Sequence, residues 1–232
     1  MWWSKTKEGE KTSGGLAFYA SLFFLVLLSA NNILALRSLA RAGGIGNFAY
    51  FALAASIGAV IASLLVRNEL SVFIHELKHS IVSNLSGNRA KGMKVRSNSG
   101  HFVYEYTEAT RAYNAFISVA PYWFPFCQII VLIPVLLFMH QSTPAAAAVM
   151  GIAFGMDLIM NIRDISPHQT DFSRLNGGYL IGTLYVSAMN IALTTILVAW
   201  ILQGLPGLWF LVLHLGKVVE LLLGVKLAGG LS

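Results

Sequence analysis

Apolar residues fall in six long runs separated by short polar connections, at about Leu16 to Leu36, Phe48 to Val66, Tyr113 to Met139, Ala145 to Ile162, Tyr179 to Leu202 and Leu208 to Val225. Each reaches the roughly 18 residues that cross a bilayer, and in lipid a helix satisfies its own backbone. The pattern predicts an all-α polytopic membrane protein of about six transmembrane helices, with residues 1–232 as one domain. One stretch breaks the pattern. Between Arg67 and Arg111 the chain turns polar, with a short helical stretch from Glu69 to Leu85. KGMKVRSNSGHFVYEY follows over 91–106, and its alternation around Asn98-Ser99-Gly100 predicts a β-hairpin. A single helix over 44–86 would be roughly 64 Å long at 1.5 Å per residue, more than a bilayer needs, so a break near Arg67 to Leu70 is expected. Pro121, Pro125 and Pro134 should kink the third run. Its Tyr122-Trp123-Phe124 reads as an interfacial aromatic belt.

Composition agrees with membrane residence. The chain is 56% hydrophobic and 11% charged, against about 25% charged in ordinary soluble domains. Disorder and solenoid architectures are excluded by the few prolines and the lack of a repeat. Cys127 is alone, which rules out a disulfide within the chain, and it is expected to pack as a small hydrophobe. Residues 1–15 carry Lys5, Lys7 and Lys11, and the apolar run that follows is longer than the 7 to 15 residues or so of a cleavable signal core. That run is read as the first span. If there are six spans, fourteen of the sixteen Lys and Arg residues fall in the segments on one side, seven of them within 67–111, and only Arg37 and Arg41 fall opposite. Basic loops stay cytoplasmic, so both termini and 67–111 are expected on that face. The net charge of +6 then faces anionic lipid, and no nucleic-acid partner is expected.

At 75–79 the chain reads His-Glu-Leu-Lys-His. On a helix, residues four apart lie about 40° from one another, so His75 and His79 point the same way and can share one ion. Glu76 lies about 100° from His75, where it can take a proton from metal-bound water without being a ligand. Six His and seven Glu in 232 residues predict roughly 0.005 accidental matches to this motif. The competing reading is two satisfied histidines with Glu76 paired to Lys78 or Arg67. Zinc needs a third protein ligand with one position left open, and the ligand must reach the cytoplasmic end. That removes His140 and leaves the segment 161–171, which holds Asp164, His168 and Asp171 and is interrupted by Pro167.

These residues resemble the site-2 protease family of intramembrane zinc metalloproteases. Its members combine H-E-x-x-H on one helix with an Asp on a later one, usually within N-x-x-P-x-x-x-L-D-G. Here Asp164 stands at the Asn place, Pro167 keeps its spacing and the final Asp arrives seven residues on, with Thr170 and Phe172 replacing the Leu and Gly. The resemblance covers roughly 45–180. It implies zinc held by His75, His79 and Asp171, with Glu76 as general base and then proton donor to the leaving amine. It also implies a transmembrane protein substrate cut near the cytoplasmic face. Asp164 and His168 remain alternative ligands, orienting partners or plain polar residues. The family has a β-element near 91–106, whose edge suits an extended substrate; a solvated basic hairpin is the alternative.

Lys78 stands where the family often has Gly. Snorkelling to the headgroups is the expectation for it, holding a carboxylate or the reacting carbonyl the other possibility. Asn190, His214 and Glu220 read as packing or gating features of the last spans. Two other functions stay open: an inactive relative of the same fold that binds membrane helices, and an ion or proton transporter using the buried His and Asp groups, although no repeated half is visible.

Overall fold

Small residues decide how the helices meet. Lipid tails are as apolar as leucine, so helices in a bilayer associate by close packing and interhelical hydrogen bonds more than by apolar burial. In the computed structural model, which describes residues 4–5, 15–96, 99–139, 142–166, 169–173, 175 and 177–224, helices α1 (Gly15–Ala42) and α2 (Ile45–Leu65) lead into a shorter α3 (Asn68–Leu85). A two-residue strand β1 (Ser4–Lys5) precedes them, and β2 (Arg89–Arg96) and β3 (Ser99–Tyr106) follow α3. The remaining helices are α4 (Asn114–Ser118), α5 (Phe126–Phe138), α6 (Pro144–Arg163), α7 (Thr170–Ser173), α8 (Gly178–Gln203) and α9 (Leu205–Leu223).

α2 and α6 pack backbone to backbone. A Cβ at Gly58 would collide with the carbonyl of Ile152, one at Gly151 with that of Phe51, and one at Gly155 with that of Ala55. α1 lies along α8, where Ser29 donates to the Ala188 carbonyl at 2.9 Å and the Asn32 amide to Thr195 at 3.1 Å. α9 joins them through a 2.7 Å contact between His214 Nδ1 and Asn31 Oδ1. Among the described residues, α1, α2, α6 and α8 are long and apolar enough to cross a membrane, and a fifth crossing results if the bent segment 111–138 is one span.

That third run is not a kinked helix. Its two parts, Arg111–Tyr122 and Phe126–Phe138, meet at 83°, with short 3-10 turns at Arg111–Tyr113 and Ala120–Tyr122. Pro121 and Pro125 each lack an N–H, which favours ending one helix and starting another over bending one. The backbone amides of Cys127 and Gln128 at the start of α5 donate to the buried Asp157 of α6 at 3.0 and 2.9 Å. Asp157, an acidic residue of the fourth run, is thereby committed to a helix N-terminus, where unpaired amides and the helix dipole favour a carboxylate.

The expected break after α2 falls at Val66–Arg67, and Asn68 adopts φ 48°. Arg163, at the end of α6, donates to the Val66 carbonyl and to the Ser71 hydroxyl, so the break is tied to the α6 terminus. The hairpin forms as expected, except that Arg96 pairs with Ser99 and Val95 with Gly100, which puts both Ser99 and Gly100 in strand β3 instead of the turn. β1 adds to the other edge of β3, with Ser4 opposite Tyr106, a pairing that the sequence did not suggest. Phe102, Tyr104 and Tyr106 face Val82 of α3 together with Ile117 and Phe124, which fixes the sheet on the helix.

Replacing Gly155 with Leu should destabilise the protein by about 1 to 3 kcal/mol, the usual cost of overpacking a tight contact. Gly46, whose Cβ position is open, should tolerate Leu. Apparent melting temperatures of both variants in detergent check the contrast.

Candidate metal centre

Helical spacing places His75 and His79 on one face of α3, and each ring is held by a different partner. His79 Nδ1 lies 2.7 Å from the Ile117 carbonyl of α4, which can only accept, so Nδ1 carries the proton and Nε2 is left as a lone-pair donor. His75 Nδ1 lies 3.2 Å from Asp164 Oδ2, which turns its Nε2 toward the third residue. Both Nε2 atoms then face Asp171 Oδ2, at 3.3 Å from His75 and 3.6 Å from His79. These spacings are longer than most hydrogen bonds. They lie near the edges of a ligand tetrahedron, about 3.3 Å when the bonds to zinc are about 2.0 to 2.1 Å. One ligand atom from each of the three residues lies within 4.8 Å of the others, so the group is able to hold a metal ion.

Asp171 comes from a segment remote in sequence, and several contacts seat it. Ser118 donates to its carbonyl at 3.2 Å. Tyr122 donates through its phenol to Oδ2 at 2.8 Å. Phe172, where the family pattern has Gly, is fully buried against the Tyr122 ring with a centroid separation of 4.5 Å, in a cluster with Phe18 and Tyr185. The site therefore keeps its geometry by burying an aromatic ring beside the carboxylate.

Asp164 is not in the converging group. It meets the far nitrogen of His75 and so orients that ring, the usual partnership of a carboxylate with a metal-binding histidine. Pro167 and His168, like His140, lie outside the described residues. Glu76 is buried, and a Cβ at Gly100 would overlap its side chain, so the hairpin lies directly against the glutamate.

Two expectations are corrected. Lys78 does not snorkel: it is 1% exposed, with Nζ donating to Asn161 Oδ1 at 2.6 Å and to the Pro121 carbonyl at 3.3 Å. The stem runs toward Asn161 of α6 and the Pro121 turn, and that packing leaves it no path to a headgroup. Tyr122 is no part of an aromatic belt, because it is 0% exposed and its hydroxyl reaches Asp171. Sequence reading missed it; the one available signal was its place between two prolines, where a helix must stop.

The electrostatics follow from this packing. Burial opposes charge on His75, but hydrogen bonds to Asp164 and Asp171 outweigh it and raise the imidazole to about 9. Burial also opposes the charge of Asp171, and the imidazoles of His79 and His75 overcome it, holding the carboxyl well below the usual range. Burial pushes Glu76 upward, with the same imidazoles opposing. Compared with protein-family models, with curated proteins and with solved structures, the chain matches none.

Asp171→Ala should abolish stoichiometric metal binding, whereas Asp164→Asn should weaken it by about 10 to 100-fold, the usual effect of losing a ligand's orienting partner. Chelator competition on purified protein separates the two. A metal must displace the His75 proton below about pH 9. Affinity should therefore rise with pH, by up to about tenfold per unit between pH 6 and 8, because the competing proton becomes scarcer. Titrations in buffers across that range check the slope.

Proposed function

We propose that the chain is a zinc-dependent intramembrane endopeptidase of the site-2 protease kind, acting on membrane-anchored proteins near the cytoplasmic face. The observation that carries this reading is the orientation of the two imidazoles. Each has its Nδ1 occupied by an acceptor, and their Nε2 atoms meet at one carboxylate oxygen. Two imidazoles and one carboxylate are a common protein set for a catalytic zinc, which keeps a further position for water. Zinc, when bound, would lower the pKa of its water toward about 7 and polarise a carbonyl.

The chain's own residues supply the remainder. Glu76 lies beside the group, and its raised carboxyl suits a base that accepts a proton from water and then delivers it to the leaving amine. Asp164 keeps the His75 tautomer, and the Ile117 carbonyl that of His79. Gly100 lets strand β3 approach Glu76 without a side chain between them. A substrate helix must unwind before its backbone can be attacked, and a sheet beside the base offers backbone partners for an extended segment. Six spans, cytoplasmic termini and a bilayer partner complete the reading; a bilayer partner is supported by the four apolar helices, or five crossings with the bent segment, among the described residues, and the orientation by the one-sided placement of basic residues.

The other reading is an inactive relative of the same fold, kept open by Lys78 and by the altered Asp motif; Lys78 spends its hydrogen bonds on Asn161 and the Pro121 carbonyl, which counts against the first of these grounds.

The test is cleavage of a labelled single-span polypeptide co-reconstituted with purified protein in liposomes. Glu76→Gln should lower turnover by about 10² to 10⁴-fold, as expected for loss of a general acid–base, while zinc content stays at wild-type level. Wild-type zinc with equal product from both proteins would reject the protease reading, and absence of zinc from wild type would reject the metal centre.

A further inference from the structure

The segment between Pro121 and Pro125 is where the third run bends, and a bend leaves carbonyls without helical partners. Away from water such carbonyls must find donors. Two polar side chains from different helices provide them. The ammonium of Lys78, on α3, donates to the Pro121 carbonyl at 3.3 Å. The amide of Asn190, on α8, donates to the Tyr122 carbonyl at 2.8 Å. Asn161 of α6 joins them, accepting from Lys78 at 2.6 Å and donating to Asn190 Oδ1 at 3.3 Å. The chain Lys78–Asn161–Asn190 thus grips two consecutive carbonyls of one turn from both ends. Beyond the grip, the Tyr122 phenol reaches the Asp171 oxygen that faces both Nε2 atoms.

We infer that Lys78, Asn161 and Asn190 are positioning residues: they fix the Pro121–Tyr122 turn so that the Tyr122 hydroxyl holds Asp171 Oδ2 on the line of approach of the two histidines. This deepens the metal-centre reading above and rests on it. Three features favour positioning over ordinary packing. Lys78 is buried, and a buried polar group is costly unless it is hydrogen-bonded; its Nζ spends two hydrogen bonds on the grip. The grip falls on the residue whose side chain touches Asp171. And Asn190 brings α8 into the grip at both of its contacts, donating to the Tyr122 carbonyl and accepting from Asn161.

The experiment measures zinc affinity by chelator competition, and the visible absorption of bound Co²⁺, on full-length purified protein. The variants are Tyr122→Phe, Lys78→Met, Asn190→Leu and the pair Tyr122→Phe/Asn190→Leu. Tyr122→Phe should weaken zinc by about 10 to 100-fold, as loss of a hydrogen bond to a ligating carboxylate does. Asn190→Leu, which touches no ligand, should weaken it in the same direction and shift the Co²⁺ bands. The double variant should be no weaker than the worse single one, because both losses act through one hydroxyl. Lys78→Met adds a second arm, and Asn190→Leu keeps the test valid if the neighbour of His79 tolerates no change.

Multiplicative losses in the double variant, or Asn190→Leu and Lys78→Met proteins with wild-type affinity and spectrum, would overturn the inference while leaving the metal centre intact. A wild-type protein that binds no zinc would overturn both, and Asp171→Ala distinguishes the cases: its loss of metal, beside unchanged Asn190→Leu, sinks only the positioning role.

Discussion

Asp171 Oδ2 lies between two imidazole nitrogens that arrive from a helix 96 residues earlier in the chain in the case of His75, and the rest of the architecture is arranged around that convergence. A carboxylate removed from water needs either its proton or strong partners. Here it keeps its charge because the imidazoles and the Tyr122 phenol face it, and each of these is held by something else. α6 ends at Arg163, whose guanidinium is bound to the Val66 carbonyl and to Ser71. The very next residue, Asp164, meets His75. The chain then returns through α7, where Phe172 enters the core beside Phe18 and Tyr185. A group of candidate metal ligands assembled from a helix and a distant turn depends on such fastening more than on either segment's intrinsic preference.

The break between α2 and α3 serves the same end. Continued as one helix, the histidines would travel with α2 along its axis, away from the end of α6. Asn68 takes a left-handed backbone conformation, which asparagine tolerates better than most side chains, and the chain restarts as a shorter, more polar helix. That helix supports the hairpin on its other side. The aromatic face of β3 packs on Val82, one turn beyond His79, and Gly100 rests against Glu76. Glu76, the two histidines and the hairpin are therefore carried by one helix, so their mutual geometry does not depend on how the spans settle against one another.

Much of this was legible in the sequence because periodicity and breakers are local properties. The apolar runs, the break near 67, the hairpin and the shared face of His75 and His79 all follow from spacing alone. The Asp171 contact was legible only through resemblance, since no periodic signal reports which of two aspartates seven residues apart turns inward. Lys78 and Tyr122 were misread for a related reason. A lysine near a membrane ordinarily extends to headgroups, and a Tyr-Trp-Phe triplet ordinarily marks an interface. Both rules describe side chains with free access to the surface, and the packing of α3 against the bent segment removes that access. Asn161 gave no signal and Asn190 read only as a packing or gating feature, because a single buried amide within an apolar run looks the same whether it joins helices or holds a turn.

Buried polar groups in this protein fall into two sets with different work. Ser29, Asn32, Thr195, Asn31 and His214 connect α1, α8 and α9, where each bond replaces part of the attraction that lipid does not supply between spans. Asp157, Lys78, Asn161 and Asn190 do not merely connect helices: they serve the places where the third run stops being one. Asp157 accepts the amides opened at the start of α5, and Lys78 and Asn190 donate to the carbonyls opened just before it. Breaking a helix at depth costs the hydrogen bonds on both sides of the break. Here the donors and acceptors recruited to offset that cost come from α3, α6 and α8, the helices that also carry or adjoin the site. The bend is thus the joint through which three helices share one register, and its outermost atom is the hydroxyl on Asp171.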